Sequence, residues 1–158
     1  SEFLTDTRGT GMMHHRFLEY GLWAGPLAGR KRGVLVADRE APVVGFALAN
    51  LQERAQMFVA PGELVYEGMI VGENSRPGDM DVNVGKEKKL SNMRTTSTDE
   101  NIQLEPPRPI TLEYALEHIE ADELIEVTPE NIRLRKRSLQ ATERKKVQRA
   151  ANRGVDVS

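Results

Sequence analysis

The chain has 158 residues, 39% hydrophobic and 29% charged, with a net charge of −2 and no cysteine. That length suits one domain, or one domain with a fragment of another, and the lack of thiols excludes a disulfide framework and thiolate metal sites. No apolar run approaches the roughly 18 residues of a membrane span and no signal peptide opens the chain, so the expectation is a soluble, cytoplasmic protein with no membrane partner.

The near-zero net charge hides two opposed blocks. Between Asp99 and Glu130 ten acidic residues face only Arg108. Between Arg133 and Arg153 nine basic residues face only Glu143, a pattern common in nucleic-acid arms.

In chain order, Ser1 to Thr7 begins without a helix cap and reads as the cut end of a helix. Arg8-Gly9-Thr10-Gly11 reads as a turn, Met12 to Tyr20 as a strand, and Gly21 to Gly33 as a Gly/Pro/Arg connector at a boundary. Val34 to Ala37 and Val43 to Ala49 are predicted to pair as a hairpin, followed by one helical turn at Leu51 to Ala55 and a short strand at Met57 to Val59. Leu64 to Glu73 has the apolar content of a buried strand, Ser75-Arg76-Pro77-Gly78 is a turn signal, and Met80 to Val84 is a second strand.

From Gly85 to Glu100 the only large apolar residues are Leu90 and Met93. Connections of more than about 12 structureless residues are usually functional or disordered. This stretch is therefore either a solvated loop or a basic finger that orders on an anionic partner. Ile102 to Glu105 returns as a strand, stopped by Pro106-Pro107. Thr111 is a helix N-cap, and Leu112, Ala115, Leu116 and Ile119 form an amphipathic stripe behind it. Leu124 to Val127 and Ile132 to Lys136 form a hairpin whose second strand alternates Ile132 and Leu134 with Arg133 and Arg135, giving a core face and a basic face. Ser138 to Ala151 reads as a fraying basic helix, and Arg153 to Ser158 as disordered.

Enzyme signatures fail. Gly85-Lys86 has Met80 in place of the first P-loop glycine and Glu87 in place of Ser/Thr; G-x-S-x-G and H-E-x-x-H do not occur. His14 and His15 would point to opposite faces of a strand, and His118 on the amphipathic helix reads as a solvated or packed imidazole. Binding signals are better. Lys86, Lys88, Lys89 and Arg94 stand among Ser91, Asn92, Thr95 and Thr96, a mix suited to phosphate and sugar contacts. Arg133, Arg135, Lys136 and Arg137 form a strand-borne patch whose plainer readings are a charge-protected edge strand or ion pairs to the acidic helix.

Five strings carry a resemblance: LTDTRGTG, GFALANLQERAQMFV, YEGMIVGENSRPGDMDVNV, KKLSNMR followed by STDE, and LIEVTPENIRLRKR. From about Phe3 to Arg137 the chain resembles the C-terminal part of the BipA (TypA) family of ribosome-associated translational GTPases, which are similar to elongation factor G. The resemblance implies an α+β fold: residues 1–28 as the last helix and strand of a ferredoxin-like domain plus connector, 29–139 as a β-rich family-specific C-terminal domain with one clear amphipathic helix, and 140–158 as a basic, frayed or disordered tail. It places GTP and Mg in the absent GTPase domain, leaving no cofactor, metal or catalytic residue here. It implies contacts to the ribosome, to large-subunit rRNA and to the acceptor end of A-site tRNA, in translation regulation or ribosome assembly. By that resemblance Lys86, Lys88, Lys89, Asn92 and Arg94 are the finger contacts, and Arg133, Arg135, Lys136 and Arg137 are rRNA-facing charge. The rival reading is a protein-interaction module using the acidic helix 112–126. Self-association through edges left by the truncated ferredoxin-like piece is a further expectation, which light scattering at two concentrations checks.

Overall fold

Four consecutive residues, Val34–Ala37, are all buried, and the architecture follows from how that run is enclosed. The computed structural model describes residues 3, 7, 8, 10–22, 29–87 and 103–155, with backbone alone for 148 and 151–155. Within them the elements are β1 (Val34–Ala37), β2 (Ala41–Pro42), α1 (Gly45–Gln52), β3 (Ala55–Met57), β4 (Leu64–Val65), β5 (Met69–Asn74), β6 (Met80–Val82), α2 (Leu112–His118), β7 (Glu123–Val127), β8 (Ile132–Lys136) and α3 (Ala141–Val155). This is an α+β, sheet-rich fold.

Six strands form one sheet in the order β6-β1-β5-β8-β7, with β3 also paired to β5; β2 and β4 make a separate two-stranded ladder. β5 is the centre. One edge pairs antiparallel with β1 across a bulge at Leu35/Val36, while the other is shared, β8 taking Met69 and Ile70 and β3 taking Gly72 to Asn74. β6 runs parallel to β1, and β7 closes the far side against β8.

Alternation along β1 sends Leu35 and Ala37 to a core with Leu48, Leu51, Val65 and Val71, and Val34 and Val36 to a second core with Phe58, Ile70, Ala115 and Leu134. α1 covers the first face and α2 the second. A strand buried on both faces reads as a continuous apolar run, which is why β1 carries no polar positions. Complete burial of a Leu, Ile or Val side chain contributes about 1.5–3 kcal/mol, so stability is concentrated at β1, β5 and β8.

Several expectations are corrected. Residues 43–49 do not pair with β1; Val44 opens α1, where Ala47, Leu48 and Leu51 reach the core at helical spacing. The one helical turn predicted at 51–55 is the end of this helix, and the short strand starts two residues earlier than predicted. Leu64 to Glu73 is two strands, because the chain turns at Gly68 (φ +88°). Residues 12–20 are exposed and join no ladder among the described residues, since strand propensity without a partner edge does not make a strand. Glu105 is not in a strand either. The Gln52 side chain donates to its carbonyl at 2.7 Å and accepts from its amide at 3.1 Å, standing in for a neighbouring backbone. On α2, Thr111 does cap the helix, accepting from the Tyr114 amide at 3.2 Å. Its inward face, however, is Tyr114, Ala115 and His118, while Leu112 and Leu116 are 42% and 62% exposed.

Gly62 and Gly68 share a left-handed backbone (φ +84° and +88°), but only Gly68 is crowded: a Cβ there would lie 2.6 Å from the Cα of Leu139. Both Gly62→Ala and Gly68→Ala are expected to lose about 1–2 kcal/mol to the backbone conformation, with a further loss at Gly68 alone. Urea unfolding of the two variants checks this, equal losses being the contrary result.

Candidate nucleic-acid interface

The residues singled out for binding divide sharply by depth. Lys86 is exposed just beyond β6, whereas Lys88, Lys89, Asn92 and Arg94 lie outside the described residues. On β8, Arg133 and Arg135 are half-buried and Lys136 is buried; Arg137, just past the strand, is exposed. β8 is not an edge strand, because it is paired on both sides by β5 and β7, and that removes the charge-protected-edge reading.

Lys136 is the principal correction. It shares the inward parity of Ile132 and Leu134, and only 2% of its side chain is exposed. Its ammonium contacts Asp79 Oδ2 at 2.5 Å, Asp122 Oδ2 at 2.9 Å and Glu123 Oε1 at 2.9 Å. Burial works to lower its pKa, but these three carboxylates overcome it and hold the group charged, well above the ordinary lysine range. An ammonium enclosed in this way has no face to offer a phosphate.

Glu123, the cross-strand partner of Lys136, ties this pair to the rest of the domain. Arg30 donates to both its oxygens, at 3.1 and 2.8 Å, in the two-pronged geometry that suits guanidinium and carboxylate. The Glu120 amide donates to it at 3.1 Å. Burial would raise the Glu123 carboxyl, yet the hydrogen bonds from Arg30 and Lys136 leave it below the usual carboxylate value. Arg30 also donates to His118, at 3.0 Å to Nδ1 and 2.9 Å to the carbonyl. Because Nδ1 accepts, the neutral ring carries its hydrogen on Nε2, which has no hydrogen-bond partner and lies 4.0 Å from Glu73. Burial and the adjacent Arg30 charge both push the His118 pKa down. Phe58 and Tyr114 pack edge-on and tilted against the ring, so His118 is a packed imidazole.

On the opposite face of the hairpin, Arg135 Nε lies 2.8 Å from Glu126 Oε1 as an ion pair not aligned as a hydrogen bond. Glu126 also accepts from the Tyr66 hydroxyl at 2.5 Å, and burial together with this bond raises the Tyr66 pKa. The ion pairs of β8 thus run to β7 and its approach, and to Asp79, rather than to acidic positions 113–120 of α2. Arg137 is exposed: its amide donates to the Asp122 carbonyl at 2.8 Å and its guanidinium to the Ala121 carbonyl at 3.3 Å. Sequence reasoning missed Arg30, Asp79, Asp122 and Glu123 as partners; the parity of Lys136 was the available signal.

The fold and its charge pattern define the class: a β-rich domain with helices on both sheet faces, a buried ion network and a basic margin. The family model of the TypA/BipA C-terminal domain matches residues 32–141, and the chain belongs to that family. It is 48% identical over 135 residues, 85% of its length, to the large ribosomal subunit assembly factor BipA of a Synechocystis strain. It is 46% identical over 151 residues to the protein of the same name in Escherichia coli K12, and 45% over 157 residues to that of Buchnera aphidicola. These matches cover 95% and 99% of this chain but only 25% and 26% of those proteins, and 23% of the Synechocystis one, so the chain spans about a quarter of its relatives' length.

Because the folded state depresses His118, the unfolded chain takes up the proton first as pH falls below the ordinary 6.5, and stability falls with it. Glu123 acts lower: its contribution is present above its ordinary 4.5 and is lost as pH falls through the depressed folded value. Thermal melts across pH are therefore expected to fall in two stages, and His118→Gln should remove the upper stage alone. A profile flat from pH 7 to 5 in the unsubstituted chain contradicts this.

Proposed function

We propose that this chain is the ribosome-docking module of a larger translational GTPase, acting in assembly of the large subunit. The observation that carries this reading is the match of residues 32–141 to a domain whose relatives are named large ribosomal subunit assembly factors. The chemistry is electrostatic. Lys86, Lys88, Lys89, Asn92 and Arg94 form an RNA-contacting finger directed at large-subunit rRNA and the acceptor end of A-site tRNA, with Arg137 and the outer edges of Arg133 and Arg135 as supporting charge. Lys136 is excluded from that set by its burial. GTP hydrolysis, with its Mg, belongs to a preceding part of the parent protein, and the family-specific unit runs from about 29 to 139 with 140–158 as a basic extension. Work on ribosomes places the protein in the cytoplasm; among the described residues no helix is long and apolar enough to cross a membrane.

A second reading has its own observation. Leu112 and Leu116 present an exposed apolar stripe beside Glu113, a surface suited to a protein partner rather than to RNA. The two readings part on salt: each phosphate neutralised contributes about −0.7 to −0.9 to the log–log slope, whereas an apolar contact is nearly insensitive. Binding to purified large subunits is expected to weaken at least tenfold between 50 and 200 mM KCl (about the loss that two to three phosphate contacts give). A variant with Lys86, Lys88, Lys89 and Arg94 changed to Ala should bind more weakly and with a shallower slope. Salt-insensitive binding that Leu116→Asp abolishes would instead favour the second reading.

A further inference from the structure

A cleft of about 600 Å³ opens where the connector before β1, the β5–β6 turn, the end of β8 and the N-terminal half of α3 converge. Its floor is the ion network already described, so Asp79 and Asp122 are committed to Lys136. Asp81, on β6, is engaged by Arg144 and, at 3.3 Å, by Lys145. The acids in the cleft are therefore largely neutralised from within the protein, leaving Glu120 as the exception.

The rim carries surplus positive charge. Lys31 and Arg137 are exposed and have no carboxylate partner among the described residues; Lys145 shares its single carboxylate with Arg144, and 60% of its side chain is exposed. Arg32 reaches Glu73 only at 3.5 Å with 64% of its side chain exposed, a pair worth little in solvent. Lys146 and Arg149 extend the same charge outward along α3. Among the described residues no aromatic side chain lines the cleft, so they offer nothing on which a base could stack. Charge without a stacking platform suits a phosphodiester backbone bound without regard to sequence.

We propose that this cleft is a second RNA-backbone site, in which Lys31, Arg137 and Lys145 hold consecutive phosphates. The proposal rests on the docking reading and adds a contact independent of the finger, because Lys86 does not line this cleft. The two sites are linked through β6: Asp81 anchors α3 beside the cleft, and the chain leaves the strand at Val82 for Lys86.

The test uses the full 158-residue chain and purified large ribosomal subunits over 50–200 mM KCl. The triple variant K31A/R137A/K145A should lose about 10- to 100-fold in affinity at 100 mM KCl, with a slope shallower by about two units for three lost phosphate contacts. Lys31→Glu, which breaks no hydrogen bond or ion pair among the described residues, should lose at least several-fold while its thermal melt stays unchanged. Millimolar inorganic phosphate at constant ionic strength should leave wild-type binding unaffected; complete competition would make this a small-anion site and overturn the proposal. Wild-type affinity and slope in both variants would also overturn it while leaving the docking reading standing. No binding by the wild-type chain would remove both.

Discussion

The contact between Lys136 and Glu123 is the constraint on which the arrangement of this domain depends. Two opposite charges placed across adjacent strands and taken out of water are tolerated only when further hydrogen bonds satisfy both groups. Lys136 meets that demand through Asp79 and Asp122, and Glu123 through Arg30 and the Glu120 amide. The partners arrive at the β7–β8 hairpin from three other parts of the chain: the connector before β1, the β5–β6 turn, and the short link between α2 and β7 that carries both Glu120 and Asp122. Removing one member of such a set typically costs about 3–5 kcal/mol, because the others are left buried and uncompensated. The network therefore fixes where four segments meet.

The same arrangement separates structural charge from surface charge. Arg30 orients His118 and so seats α2, while Asp79 accepts from the Val34 amide at 2.9 Å and so anchors the start of β1. Arg144 holds Asp81 and Glu67 accepts from the Ala141 amide at 3.1 Å, which ties the first turn of α3 to the body. Lys31, Lys86, Arg137, Lys145, Lys146 and Arg149 are among the exposed cations of the periphery. A nearly neutral chain can in this way offer a basic margin, because Asp79, Asp81, Asp122 and Glu123 neutralise interior or helix-borne cations beside it.

Much of this was legible in the sequence. The hairpin across Thr128 to Asn131 followed from alternating apolar residues around a Pro-containing turn, and Thr111 announced its helix through cap chemistry. Residues 45–52 misled because GFALANLQ is apolar at nearly every position, and tertiary packing decided in favour of a helix. The inward face of α2 was misjudged because a two-turn helix has little stripe to read. Here the Phe58 ring and the Arg30 guanidinium, both distant in sequence, set its rotation. Lys136 was taken for surface because lysine usually is; its parity with Ile132 and Leu134 already placed it inside, but no local pattern names three carboxylates between 13 and 57 residues away.

The most direct test of the division between interior and docking charge is lysine acetylation of this chain, alone and bound to large ribosomal subunits, read residue by residue by mass spectrometry. Lys136 is expected to stay unreactive in both states, while Lys31, Lys86 and Lys145 react in the free chain and are protected on binding. Acetylation of Lys136 in the folded, free chain, or complex formation that protects none of the peripheral lysines, would overturn the division between interior and docking charge.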